Sequence, residues 1–128
     1  MSEVRRRRGT DARRSGRRAE VLAALWLMFK GYRVLGFRLR TPQAEIDLLV
    51  ARRGVLAAVE VKSRTTAQAA LEAVGYPQRE RLRRALAGVA ARKRGFETAR
   101  LRLDLLALAP GHFPRHIPDA WSEDGDVG

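Results

Sequence analysis

Residues 44–64 read AEIDLLVARRGVLAAVEVKSR, two apolar runs separated by a short basic turn. Runs of this length on either side of a Gly-bearing turn predict a β-hairpin. The first run carries Asp47, the second Glu60 and Lys62. A charge inside an apolar strand is costly unless it is paired or binds a metal. Any fold of this chain therefore has to bring partners to these three groups.

Alternation along a strand puts Glu45 and Asp47 on one face, and Glu60 and Lys62 on one face. The turn decides whether the two faces coincide. A two-residue turn at Arg52-Arg53 opposes Asp47 to Ala58 and leaves Glu60 on the diagonal. A turn at Arg53-Gly54 opposes Asp47 directly to Glu60. Either register gathers Asp47, Glu60 and Lys62 on one face, with Cβ atoms about 5–8 Å apart; an odd loop or a bulge would separate them. Two carboxylates so spaced suit a hard divalent cation, Mg²⁺ or Mn²⁺, bound through oxygen. Such an ion polarises a scissile phosphate and acidifies a bound water, while Lys62 places or activates that water. Only Lys30, Lys62 and Lys93 among the 26 basic residues are lysines, and a compact ammonium is not interchangeable with guanidinium. The same three charges also make sense as a cross-strand ion pair, and residue chemistry leaves both readings open.

The 128-residue chain has the length of one domain, and its net charge is +12. Residues 1–18 hold eight arginines against Glu3 and Asp11, and residues 119–128 hold four acids and no base, so the segment between them is basic as well. A basic domain points to a polyanion, nucleic acid first; an arginine-biased genome is the alternative. With no cysteine, disulfides, thiolate metal sites and thiol nucleophiles are excluded. The longest apolar run, residues 21–29, is shorter than the roughly 20 residues that span a bilayer. No secretory pattern follows the arginine-rich start. The expectation is a cytoplasmic protein with no membrane partner.

The chain divides into a disordered basic arm (1–15), an α/β domain (16–118) and a short acidic tail (119–128). A helix is predicted over 16–30, with Ala19, Leu22, Ala23, Trp26 and Phe29 as its core stripe and Gly31 as its stop. Glu20 lies beside that stripe; it is a candidate site residue, or simply an early carboxylate favoured by the helix dipole. Residues 32–40 read as a strand, and with the hairpin they make an antiparallel meander. Residues 63–76 are irregular or partly helical. Pro77 opens a helix to residue 94, with Leu82, Ala85, Leu86, Val89 and Ala90 on its apolar face. Residues 101–108 form a further strand, with Arg102 and Asp104 on one side. His112, Pro114 and Pro118 mark an irregular end. Arg17, Arg18, Arg52, Arg53, Arg64 and Arg83 are the candidate phosphate contacts, with a solvated arginine surface as the competing reading. No nucleophilic triad and no Gly-rich phosphate loop is present.

Gly16-x-x-Ala19-Glu20, Gly31-Tyr32, Glu45-Ile46-Asp47-Leu48-Leu49 and Val59-Glu60-Val61-Lys62-x-Arg64, in this order, resemble the YraN family of the PD-(D/E)XK nuclease superfamily. The likeness covers residues 16–121 and includes Ala73-Val74, Arg81-Leu82, Arg102-x-Asp104 and Asp119-Ala120-Trp121. It implies a restriction-endonuclease-like α/β fold, with a central mixed sheet flanked by helices in αβββαβ order and a relation to Holliday-junction resolvases. It also implies metal ligation by Asp47 and Glu60, catalysis by Lys62 and a supporting acid at Glu20. Two positions depart from the family pattern: Ala44 stands where glycine precedes the EID motif, and Gln78 where a basic residue opens the second helix.

The expected function is a divalent-metal-dependent endonuclease acting on DNA, branched or damaged structures included, and working as a homodimer where two strands are cut. A non-catalytic nucleic-acid-binding protein on the same fold is the competing class. A purely electrostatic RNA binder accounts for the charge but not for acids interrupting apolar strands.

Overall fold

The computed structural model describes residues 2–122, with side chains from residue 16 onward. Its elements run α1 (Ser2–Phe29), β1 (Arg33–Arg40), β2 (Glu45–Arg52), β3 (Val55–Ser63), α2 (Ala67–Glu72), α3 (Tyr76–Arg92), β4 (Arg100–Leu108) and β5 (Arg115–Ile117). Most of the acidic tail, residues 123–128, lies outside the described residues, as do the side chains of the basic arm. The backbone of α1 is helical from Ser2 rather than from Gly16; arginine is a good helix former and no proline interrupts this segment.

One five-stranded sheet, in the order β1-β2-β3-β4-β5, forms the centre. The first three strands are an antiparallel meander. β4 lies parallel to β3, reached by the crossover through α2 and α3, and β5 pairs antiparallel with β4. The sheet is mixed because only the β3–β4 connection is long enough to return in the same direction. Helices cover both faces. α3 packs Leu82, Ala85, Leu86 and Ala90 onto Ile46, Leu49, Leu56 and Ala58, whereas α1 packs Ala23, Ala24 and Leu27 onto Leu48, Val50, Ala57 and Val59. This is a restriction-endonuclease-like α/β architecture, with α2 and β5 added to the expected αβββαβ order.

Two departures from the sequence expectation, in α1 and at β5, have physical causes. The buried stripe of α1 is Ala23, Ala24 and Leu27, with Trp26 beside it; Leu22 is 50% exposed and Phe29 87% exposed. Residues 21–29 are apolar on every side, so periodicity could not pick the inward face. α2 falls within residues 63–76, expected to be irregular or partly helical, where the Thr66 hydroxyl accepts the Ala69 amide as an N-cap. β5 was hidden because a three-residue strand flanked by prolines shows no alternation.

The hairpin settles its register. Arg52 pairs with Val55 and Leu48 with Val59, so the two-residue turn is Arg53-Gly54. Both residues have positive φ, 47° and 79°, the type I′ geometry that matches strand twist. The ladder ends at Leu48–Val59, and one step beyond it Asp47 and Glu60 face each other.

Candidate active site

Asp47 lies where β2 and β3 part. Ile46 belongs to the α3-side core and Leu48 to the α1-side core, so alternation breaks at Asp47 itself. Its Oδ2 accepts the Val61 amide at 3.0 Å, taking the place of a ladder bond. Glu60 is 4% exposed. Its Oε2 lies 3.8 Å from Lys62 Nζ and 3.5 Å from Gln78 Nε2, which reaches down from the first turn of α3. Neither contact is a short, charge-neutralising hydrogen bond.

The electrostatic result is a frustrated pair. Burial drives the Glu60 pKa up to about 8; the charge of Asp47 and a hydrogen bond to it add to the rise, and Lys62 offsets only part. Burial also raises Asp47, against the Val61 amide and Lys62, with Glu20 adding repulsion. Two close carboxylates cannot both ionise cheaply, so burial and mutual repulsion favour a proton on the pair.

A cleft of about 430 Å³ opens over this pair, lined by Gly16, Glu20, Asp47, Val61, Lys62 and Arg64 among others. Three of the four expected catalytic residues therefore border one hollow, and the fourth, Glu60, hydrogen-bonds to Asp47 beneath it. Glu20 is not directed at the acid pair. Both its oxygens are held by Arg38 Nε, at 2.9 and 2.7 Å. Among the described residues no three Asp, Glu, His or Cys side chains converge to hold a metal ion by themselves. Two carboxylates nevertheless suit Mg²⁺, which keeps several waters and takes its remaining ligands from substrate phosphates. The opposed carboxylates, buried Glu60 and half-buried Asp47, are the observation that fits: a divalent cation between them would relieve their repulsion.

The candidate phosphate contacts disperse. Arg64 lines the cleft. Arg17 and Arg18 border an apolar groove with Val21, Leu22 and Leu25 elsewhere on α1. Arg53 sits in the turn itself, and Arg52 donates to the Lys30 carbonyl and stacks over Tyr32 at 4.5 Å. Both sit at the far end of the hairpin, roughly 17–20 Å of strand from Asp47. Arg83 bonds Glu80 and the Trp121 carbonyl. Charge alone could not separate these roles.

Sequence reasoning passed over two features. Arg38, facing Asp47 across the β1–β2 ladder between the pairs Phe37–Leu48 and Leu39–Ile46, lies in a stretch that the sequence marks only as a strand. His116 was set aside as part of an irregular end, yet its Nε2 lies 2.8 Å from Asp104 and its Nδ1 2.7 Å from Lys30 Nζ. Because the ammonium can only donate, Nδ1 accepts and Nε2–H donates to Asp104. Arg102 grips the other side of Asp104 at 2.7 and 2.8 Å and also reaches the Tyr32 hydroxyl. The shared side of Arg102 and Asp104 was legible; their histidine and tyrosine were not.

The model of an uncharacterised protein family, UPF0102, matches residues 19–108. A UPF0102 protein of Caulobacter sp. (strain K31) is 68% identical over 121 residues, covering 94% of this chain and 87% of that protein. Relatives with the same family name from Parvibaculum lavamentivorans, 49% identical over 88% of this chain and 85% of theirs, and from Agrobacterium fabrum, 40% over 86% and 90%, extend the likeness. The matched region contains Glu20, Asp47, Glu60 and Lys62. With the motifs, the fold and the family model in agreement, this chain belongs to the UPF0102 family, that of YraN.

Proposed function

We propose that this protein is a divalent-metal-dependent endonuclease that hydrolyses DNA phosphodiester bonds, with branched or damaged DNA as its substrate class. The observation that carries this reading is the pair of acids, half-buried Asp47 and buried Glu60, facing each other at an open cleft, with Lys62 3.8 Å from Glu60. Mg²⁺ (or Mn²⁺) held by Asp47 and Glu60 would neutralise phosphate charge and acidify a water there. Lys62 stabilises the negative charge that grows on the phosphate oxygens and orients the attacking water. Arg64 lies at the cleft to hold the flanking backbone. Gln78 steadies Glu60 without adding a competing charge. The cysteine-free composition suits a reducing cytoplasm, and cutting both strands calls for two copies. No described helix is long and apolar enough to cross a membrane.

The test uses linear, flapped and four-way-junction DNA with Mg²⁺, Mn²⁺ or EDTA. Metal-dependent cutting should fall by about a hundredfold or more in Glu60→Ala and Lys62→Ala, and DNA binding should weaken steeply with salt. Binding that persists in both variants, with no cutting under any metal, would replace the enzyme with a nucleic-acid-binding module on the same fold.

A further inference from the structure

We infer that Arg38 is a phosphate-responsive latch on Glu20, which frees this third carboxylate for the metal site when a substrate phosphate takes the guanidinium. The inference rests on the endonuclease reading and adds a gate to it.

Four observations converge on Arg38. Its backbone has φ of 47° in the middle of β1, a left-handed conformation costing a non-glycine residue on the order of 1–2 kcal/mol. Such strain persists where surrounding structure imposes it, and it clusters at functional sites. The irregularity between Val34 and Gly36 shifts the β1 register just upstream, leaving Arg38 across from Asp47. The Arg38 Nε straddles both oxygens of Glu20, so this carboxylate is turned to the guanidinium. Finally, a Cβ on Gly16 would lie 3.2 Å from Arg38 Nη2. Gly16 lines the cleft one helical turn before Glu20, and its missing side chain makes room for the guanidinium.

The contact has the properties of a latch rather than of a brace. Arg38 is 34% exposed, so its guanidinium is open to solvent and to a ligand, while Glu20 is only 12% exposed. Arg102 and Asp104, by contrast, are 15% and 0% exposed. Arg38 spends only Nε on Glu20, and among the described residues its two Nη groups donate to no protein atom. A guanidinium fork with open Nη groups matches two phosphate oxygens. A phosphate that captures it leaves Glu20 as an unpaired carboxylate beside Asp47, where a third oxygen ligand strengthens the hold on a divalent cation. Metal and DNA would then each tighten the other, as linkage requires.

The experiment is Mn²⁺ titration of the full chain, read by the electron paramagnetic resonance signal of free Mn²⁺, with no DNA present. Arg38→Ala should tighten Mn²⁺ about tenfold, within the usual span of coupling between sites, and the gain should vanish in Arg38→Ala/Glu20→Gln. Arg38→Gly suits the positive φ and should behave like Arg38→Ala, so a folding failure of the alanine variant leaves the question answerable. Adding a short duplex in a Lys62→Ala background should tighten Mn²⁺ in the chain with Arg38 and not in the chain without it. Unchanged affinity in both Arg38 variants, or a gain that survives Glu20→Gln, overturns the latch and leaves the metal site standing. Equal tightening by the duplex with and without Arg38 overturns its response to phosphate. Failure of every variant to bind Mn²⁺ removes the latch and the metal-dependent enzyme together.

Discussion

Two buried acids on neighbouring strands have opposite fates. Asp104 on β4 lies beside Val59 of β3, one residue from Glu60, on the other face of the sheet. Asp104 is wholly buried and fully served: His116, Arg102 and the Asp119 amide all donate to it. Burial alone would raise its pKa, but these donors outweigh burial and hold it below the ordinary carboxylate range. Glu60, nearly as buried, faces a second carboxylate, with only an amide at 3.5 Å and a lysine at 3.8 Å beside it, and is driven up to about 8. The sheet can satisfy a buried charge and does so at Asp104. The unmet charge at Glu60 is therefore a local arrangement, and it lies where a cleft admits solvent and ligand.

Exchanging each acid for its amide separates the two most sharply. Asp104→Asn should cost about 3–5 kcal/mol of stability, because Arg102 is left part-buried with its main anion gone. Glu60→Gln should remain within about 1 kcal/mol of the parent at pH 7, where Glu60 already carries its proton. Urea unfolding measures both, and comparable losses would erase the distinction.

A smaller effect should appear as a function of pH. Glu60 keeps its proton when folded and loses it when unfolded between about pH 4.5 and pH 8. In metal-free buffer its contribution should make stability fall as pH rises through that window, and Glu60→Gln should flatten the curve there. Asp104 works in the opposite sense: its contribution is present above the unfolded carboxylate value and is lost only as the pH falls through its depressed folded pKa. A parent curve that climbs across the window and is unaffected by the substitution would mean that Glu60 is ionised in the folded protein.

The smallest change concerns the hairpin that holds Asp47 against Glu60. Arg53 has a φ of 47°, a conformation asparagine tolerates better. Arg53→Asn should raise the melting temperature slightly, by the equivalent of about 0.5–1 kcal/mol, without altering DNA cutting. A matching loss of activity would place Arg53 at the DNA after all.

What could be read in advance followed from strong, local chemistry. Strand alternation and a Gly-bearing turn were enough to bring Asp47, Glu60 and Lys62 together, and the turn chose between two registers that gave the same face. The apolar face of α3 was equally plain, because its arginines fall largely elsewhere. The inward side of α1 was not, since residues 21–29 offer apolar side chains in every direction. Nor was Arg38: nothing in the letters GFRLR announces a left-handed residue inside a strand, and its partner Glu20 is 18 positions away. The Asp104 network required β5, a strand too short to leave a pattern, to carry His116 into place.

The Arg53-Gly54 turn has a consequence for descent. Surface turns are ordinarily where a lineage gains and loses residues at little cost. Here a single inserted codon that passed from the turn into the strand would rotate every side chain on one arm of the hairpin to the opposite face. Asp47 would then leave Glu60 as surely as if it had been deleted. This exposed turn, ~20 Å from the cleft, should be held to a fixed length as strictly as an active-site side chain is held to its identity.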